Sequence, residues 1–312
     1  MQIYFAPLEG ITGYIYRNAY EEFFGGIDRY YSPFVVTRDG GIMKNKERND
    51  ISIEHNEGLF LVPQLLTNQA SSFCRAASQM QEMGYQEVNL NLGCPSGTVV
   101  SKGRGAGFLG RTDELNYFLE EVFEHCACDI SLKTRIGVED PEEFVKLLEI
   151  YNQYPVKELI IHPRTRKEFY KGKPHMESFD YAYENSKIPL CYNGDICTIE
   201  DYQRLKERYP KLSSVMIGRG FIARPGFAGN DNKKQEIVTK ENVQKFMEKL
   251  LADYQEVMSG DIHALFKMKE IWIYLAPYFT NYEKYLKKIK KTNKLSEYRG
   301  IVSGLFANEE LV

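Results

Sequence analysis

Apolar positions along roughly the first two thirds of the chain gather into short runs of strand length at 2–6, 29–36, 59–66, 86–92, 129–134, 157–162, 188–193 and 213–218. Between several of them lie longer stretches, 69–83, 113–126, 141–153 and 198–208, whose apolar residues return with the helical period. Thr112-Asp113-Glu114, Asp140-Pro141-Glu142-Glu143 and Thr198-Ile199-Glu200-Asp201 open three of these with helix-start signals. Eight strand–helix units predict an α/β protein built as a (β/α)8 TIM barrel. A doubly wound sheet needs fewer strands and a glycine fingerprint after the first, and no Gly-x-Gly-x-x-Gly follows 2–6.

The pattern changes after Arg224-Pro225-Gly226-Phe227-Ala228-Gly229-Asn230-Asp231-Asn232, whose Pro, Gly and Asn content reads as a linker. Beyond it 240–258, 261–279 and 281–292 carry helical spacing, for example Phe246, Leu250, Tyr254 and Val257. The expected organisation is a barrel over 1–230 and a small helical domain over 231–312. In 282–294, Tyr282, Leu286 and Ile289 form one stripe with lysines around the rest, which suits either a solvated face or contact with phosphates.

Barrel enzymes place chemistry at the carboxyl ends of their strands, so those positions carry the functional argument. Gln64, Asn91 and Cys94, Lys133 and Arg135, His162 and Arg164, Asn193-Gly194-Asp195, and Gly218-Arg219-Gly220 occupy them. A single buried Lys or His has packing explanations, but polar groups at nearly every strand end converge on a binding cavity. The last two clusters offer backbone N–H groups and a guanidinium where barrels bind phosphate, which implies a phosphorylated cofactor. Cys94 stands on a loop, between Gly93 and Pro95 and ahead of Gly103, Gly105, Gly107 and Gly110. That setting suits a reactive thiol beside a mobile cover, and equally a structural cysteine before an ordinary loop.

Composition narrows the class. The chain has 312 residues, 43% hydrophobic and 27% charged, as in ordinary globular proteins, and no run of eighteen apolar residues that would span a membrane. With no basic, apolar leader before Gln2-Ile3-Tyr4-Phe5, a cytoplasmic protein is expected. The six cysteines show neither Cys-x-x-Cys nor zinc spacing, so no metal and no disulfide framework are expected, and Cys126-Ala-Cys128 reads as bland. The net charge of −3 conceals an asymmetry: residues 233–312 hold 14 Lys and Arg against 11 Asp and Glu. The basic part is the helical tail, a modest indication of a nucleic-acid partner.

These residues resemble one family, the tRNA-dihydrouridine synthases, flavin enzymes that reduce selected uridines in transfer RNA. The resemblance runs from Ala6-Pro7-Leu8-Glu9-Gly10-Ile11-Thr12 and Arg17 through Asn91-Leu92-Gly93-Cys94-Pro95, Lys102-Gly103, Gly105-Ala106 and Lys133-Thr134-Arg135. It continues in His162-Pro163-Arg164-Thr165-Arg166 with Tyr170 and Gly172, then Asn193-Gly194-Asp195-Ile196 and Gly218-Arg219-Gly220. Leu8-Glu9 departs from the commoner Met-Ala or Met-Glu, and Pro163 stands where Gly is usual; neither change removes a side chain with a chemical role. The resemblance implies a barrel holding FMN, recharged by NADPH or NADH, and a helical domain that grips tRNA.

By the same resemblance, Cys94 is the expected proton donor to C5 of the uracil ring while hydride reaches C6 from the flavin. Lys133 is expected near the flavin N1 and O2. Gln64 is expected at the pyrimidine edge of the flavin, and Pro7, Leu8 and Glu9 as its backbone wall. Asn193, Gly194, Asp195, Gly218 and Arg219 would hold ribityl and phosphate, with His162 between cofactor and substrate. Asn91, Arg135 and Arg166 are the expected contacts to the flipped-out base, and Lys287, Lys288 and Lys291, with Lys284, Lys290 and Lys294, those to RNA phosphates. A monomer is expected. Two other readings are a flavin barrel acting on a free pyrimidine, against which the motif order and basic tail argue, and a catalytically silent RNA-binding barrel, against which Cys94 and Lys133 argue.

Overall fold

A computed structural model describes residues 1–37, 43–227 and 238–312. Parallel strands run β1 (Gln2–Phe5), β2 (Arg29–Tyr31), β3 (Val35–Val36), β4 (Leu61–Val62), β5 (Gln64–Leu66), β6 (Glu87–Leu92), β7 (Asp129–Arg135), β8 (Leu159–His162), β9 (Leu190–Tyr192) and β10 (Ser214–Ile217). Ten segments replace the eight expected because the second and third strands are each broken once. Pro33 lies in one break and Pro63 in the other, and proline has no N–H to give to a ladder. The spatial order β3-β5-β6-β7-β8-β9-β10-β1-β2-β4 closes through these breaks. Tyr30 and Tyr31 pair with Leu61 and Val62, Val35 and Val36 pair with Leu65 and Leu66, and β1 pairs with β10. The result is the (β/α)8 barrel.

Strand alternation sorts side chains to two cores. Val88, Leu90 and Leu92 of β6 point outward into the layer beneath the helices. Tyr4, Ala6, Tyr31, Val62, Ile160, Cys191 and Met216 fill the barrel interior. The predicted helices form as Ala70–Glu82, Thr112–His125, Glu143–Tyr151 and Ile199–Arg208. Thr198 and Asp201 make a reciprocal capping box on the last of these.

After the barrel come helices Lys240–Val257, Asp261–Leu275 and Glu283–Lys291, as the periodicity predicts, and then a fourth, Leu295–Asn308. Gly300 and Gly304 obscure the fourth in the sequence, because glycine is a poor helix former, yet Tyr298, Leu305 and Phe306 are buried along it. Trp272 is the centre of this helical unit: its indole N–H donates to the Tyr298 hydroxyl at 2.8 Å, and Phe279 and Phe306 pack around it. Phe246 docks the unit on the barrel by packing on Tyr16 and Phe24 of the first barrel helix and its end, ring centroids 5.6 and 5.0 Å apart. Burying one such ring contributes about 2 kcal/mol. The expected boundary between 230 and 231 lies outside the described residues. Among the described residues no helix is long and apolar enough to cross a membrane.

Candidate active site

The inward positions of the strands turn polar toward their carboxyl ends. Asn91 and Lys133 are register partners across β6 and β7, and Arg135 and His162 across β7 and β8. They open into a cavity of about 390 Å³. Pro7, Leu8 and Glu9 line one side of it, Gln64 and Cys94 another, and Asn193, Gly194, Asp195, Gly218 and Arg219 the end nearest β9 and β10. Tyr274, on helix Asp261–Leu275, reaches the same cavity, so the helical unit contributes to its wall.

A chain of amides fixes the thiol. Asn91 Nδ2 donates to Gln64 Oε1 at 2.7 Å, Gln64 Nε2 to Asn89 Oδ1 at 2.7 Å, and Asn89 Nδ2 to the Ser131 hydroxyl at 2.9 Å. Asn91 Oδ1 in turn accepts from the backbone N–H groups of Gly93 and Cys94 at 3.0 and 2.9 Å. The expected Asn91 contact to a base therefore has a competitor: this amide is already engaged in placing Cys94. Burial pushes the Cys94 thiol up from its ordinary value, which keeps it protonated at neutral pH.

Two of the glycines after Cys94 are closely packed against backbone. A Cβ at Gly105, whose φ is +56°, would lie 2.8 Å from the Cys94 carbonyl oxygen, and one at Gly107 would lie 2.8 Å from the Val100 Cα. Short helical turns at Gly97–Val100 and Gly105–Gly107 press against the thiol loop, with the Ala106 N–H donating to Cys94 O at 3.0 Å. Close backbone approach accounts for Gly105 and Gly107.

On the cavity floor Lys133 Nζ donates to Asn193 Oδ1 at 2.7 Å, and Asn193 Nδ2 to Met216 O at 2.8 Å. No carboxylate pairs with Lys133 among the described residues. Burial and the neighbouring Arg135 bring its ammonium down to about 8. His162 is held well below the usual imidazole range by burial and by Arg135, Lys133, Arg164 and Arg219 around it. Arg164 Nη1 lies 3.1 Å from His162 Nε2. A guanidinium only donates, so Nε2 accepts and the neutral ring carries its hydrogen on Nδ1. Arg135 braces the thiol loop from below, donating to Gly93 O at 2.8 Å and Thr165 O at 2.9 Å.

Arg164 is fully buried and organises the far wall. It donates to Lys171 O at 3.1 Å, to Gly172 O at 2.6 Å and to both carboxylate oxygens of Asp195. Asp195 has a positive φ of 39° and also accepts from Arg219 at 2.8 Å. The loop that Arg164 pins carries Tyr170, whose ring lies 4.7 Å from the Arg219 guanidinium carbon and 5.3 Å from that of Arg135. The sequence places Arg164 among the strand-end positions and Tyr170 in the family motif, but gives neither a role of its own. Their signal was present in the spacing of His162-Pro163-Arg164 and Tyr170 after a strand end.

Arg166 lies outside the cavity lining and pairs with Glu139 at 2.8 Å. Lys287, Lys288 and Lys291 stand exposed on helix Glu283–Lys291, also away from the cavity. Lys284 is not a free cation there, because its Nζ lies 2.9 Å from a Glu309 carboxylate oxygen.

A closed barrel with a cationic cavity at the carboxyl ends of its strands, a protonated thiol on one wall and a lysine on the floor, is the layout of a barrel enzyme. Residues 4–310 match the family described as dihydrouridine synthase (Dus). The chain belongs to the dihydrouridine synthase family. It is 30% identical over 235 residues to the tRNA-dihydrouridine(16) synthase of Pseudomonas syringae pv. tomato, covering 73% of this chain and 74% of that protein. It is 28% identical over 230 residues to a probable tRNA-dihydrouridine synthase of Staphylococcus aureus, covering 70% of this chain and 68% of that one. Among solved structures, a morphinone reductase mutant in complex with tetrahydroNAD matches with a TM-score of 0.51 at 11% identity, over 72% of this chain and 85% of that one. A 2-naphthoyl-CoA reductase complex matches with a TM-score of 0.56 at 9% identity, over 72% and 49%. These two likenesses concern the fold.

Proposed function

We propose that the chain is an FMN-dependent, NADPH-driven (or NADH-driven) tRNA-dihydrouridine synthase that reduces the C5–C6 double bond of particular uridines, with Cys94 as the proton donor. The observation that carries this reading is the placement of a thiol kept protonated by burial and an ammonium, Lys133, with no carboxylate partner among the described residues, in one cavity. A thiol meant to act as nucleophile is held low in pKa; one meant to donate a proton gains from being held high.

The lining suits a flavin mononucleotide. Lys133, with no carboxylate beside it, matches a group that gains negative charge on reduction. At the other end a Cβ on Gly218 would lie 3.1 Å from the Ala6 Cβ, so the wall is kept shallow where the Arg219 guanidinium and the turn into Arg219–Ala223 stand. Pro7, Leu8 and Glu9 supply the backbone wall, Gln64 an amide, and Asn193, Gly194 and Asp195 the groups around ribityl. When bound, the flavin supplies hydride to C6 of the base. Cys94 delivers the proton to C5, Asn91 and Arg135 hold its loop, and neutral His162 offers a hydrogen-bond donor at Nδ1 without adding charge.

The barrel, 1–230, is then the catalytic part and 231–312 the part that grips tRNA, working as a monomer in the cytoplasm. The names of the Pseudomonas and Staphylococcus relatives support tRNA as substrate. The base must leave its stack to reach a cavity inside the barrel mouth. The test is direct: protein purified with the flavin absorption band should oxidise NADPH catalytically only when unmodified tRNA is supplied, and dihydrouridine should appear in that tRNA by mass mapping. Equal oxidation with free uracil in place of tRNA, or no flavin on the protein, would overturn the reading.

A further inference from the structure

Cys126-Ala-Cys128 looks bland in the sequence, and Cys74 lies 52 positions away from Cys126. The fold brings them together. Cys74 stands in helix Ala70–Glu82, and Cys126 ends helix Thr112–His125 in extended backbone, φ −94° and ψ 130°. The two helices are locked side by side by Phe73 against Phe118, ring centroids 6.0 Å apart and nearly perpendicular. The two sulfur atoms are 2.8 Å apart, the Cys126 S–H donating to Cys74. A disulfide bond is about 2.05 Å long, so the sulfurs need to approach by only about 0.8 Å. Both thiols are half-buried.

We propose that Cys74 and Cys126 form an oxidisable dithiol, a modification site separate from the Cys94 cavity, that hydroperoxides convert to an intramolecular disulfide. The Cys126 S–H and nearby His125 lower the Cys74 thiol from its ordinary value, while the same hydrogen bond and burial raise Cys126. Cys74 is therefore the attacking thiolate. It attacks one oxygen of hydrogen peroxide; the O–O bond breaks, two electrons pass from sulfur to oxygen, Cys74 becomes a sulfenic acid, and the departing hydroxide takes up the proton the thiol released and leaves as water, or as the alcohol where the oxidant is an organic hydroperoxide. Cys126 then attacks the sulfenic sulfur; the S–S bond forms, the S–OH bond breaks, and the thiol proton leaves with hydroxide as the second water. Cys126, not Cys128, is the thiol whose sulfur is in contact with Cys74, so it is the one placed to resolve the sulfenic acid. The closed loop contains β6, Asn91 and Cys94, so the oxidised protein should melt at a higher temperature than the reduced one.

The experiment is graded hydrogen peroxide on the reduced full-length protein, followed by N-ethylmaleimide under denaturing conditions and peptide mapping. The expected result is a dithiothreitol-reversible cross-link between the Cys74 and Cys126 peptides at doses that leave Cys94 alkylatable. Cys126→Ser should abolish the cross-link and leave Cys74 trapped by dimedone as a sulfenic acid, whereas Cys128→Ser should cross-link like the wild type. A cross-link between Cys126 and Cys128, or full alkylation of Cys74 and Cys126 at doses that oxidise Cys94, would overturn the assignment. Both outcomes are read without flavin turnover or RNA, so they do not depend on the proposed reaction.

Discussion

The backbone N–H of Cys94 donates to Oδ1 of Asn91 at 2.9 Å, and the same amide reaches Gln64 through Nδ2. One strand side chain thus sets the position of a thiol on the loop beyond the strand end, in the wall of the same cavity. Asn91→Ala removes the acceptor and frees the loop. Because a displacement of about 1 Å at a reacting group costs on the order of 10²-fold, reduction of tRNA should fall by about that factor. Flavin reduction by NADPH should be unchanged. Asn91→Asp keeps the acceptor for the two N–H groups and should recover part of the loss. Stopped-flow measurement of the two half-reactions separates these outcomes, and equal loss in both would assign Asn91 to the cofactor instead.

The thiol itself gives a pH prediction. On the proposed reading its neutral form is the donor, and burial shifts the ionisation upward. The RNA half-reaction should therefore be level across neutral pH and decline only as pH rises through the raised thiol value, above the ordinary range of about 8.5. Cys94→Ala should bind FMN normally and reduce tRNA at least about 10²-fold more slowly. A decline centred near neutrality in the wild type would mean a thiolate is needed and would remove Cys94 from the acid role.

Lys133 titrates on the other side of the argument. With its ammonium near 8 in the open cavity, a ligand that prefers the charged form must bind less well as pH rises above that value. FMN affinity should weaken from about pH 8 upward by as much as tenfold per unit, until the pKa in the complex is reached. Lys133→Met should bind FMN more weakly at neutral pH and lose this dependence. Fluorescence titration of apoprotein with FMN across pH measures both, and a flat wild-type profile would show that Lys133 does not sense the cofactor.

Much of this site was legible because strand alternation is strict: a polar residue at an inward position near a carboxyl end, such as Asn91 or Lys133, has nowhere to go but the barrel mouth. The sorting of side chains is not legible where the chain leaves the strand. Arg164 and Arg166 are two apart and chemically alike, yet after Pro163 the alternation stops. Arg164 turns inward to Asp195 and Arg166 outward to Glu139. Spacing alone cannot separate them. The glycines after Cys94 left two readings open for a related reason, since Gly supplies either mobility or close approach, and the Cys94 carbonyl beside Gly105 shows close approach there. Likewise, the two strand breaks at Pro33 and Pro63 were visible as prolines, but not that pairing resumes beyond them.

The basic helix offers the sharpest separation between a solvated face and an RNA grip. Helix Glu283–Lys291 buries Ile289, which fixes the opposite face outward and leaves Lys287, Lys288 and Lys291 exposed. Lys284 is excluded from the set by its pairing with Glu309, whose carboxyl is pulled down to about 2 by Lys284 and by Asn281 and Thr280. Each lysine that meets a phosphate releases counterions on binding, at about 0.7 to 0.9 in the slope of log affinity against log salt. Replacing Lys287, Lys288 and Lys291 together with Gln should flatten that slope by about 2 and weaken tRNA binding most at low salt. NADPH-driven flavin reduction should not change, since none of the three lines the cavity. Filter binding across a salt series decides it: parallel lines for the wild type and the triple variant would place the RNA elsewhere on the surface and leave this helix a solvated face.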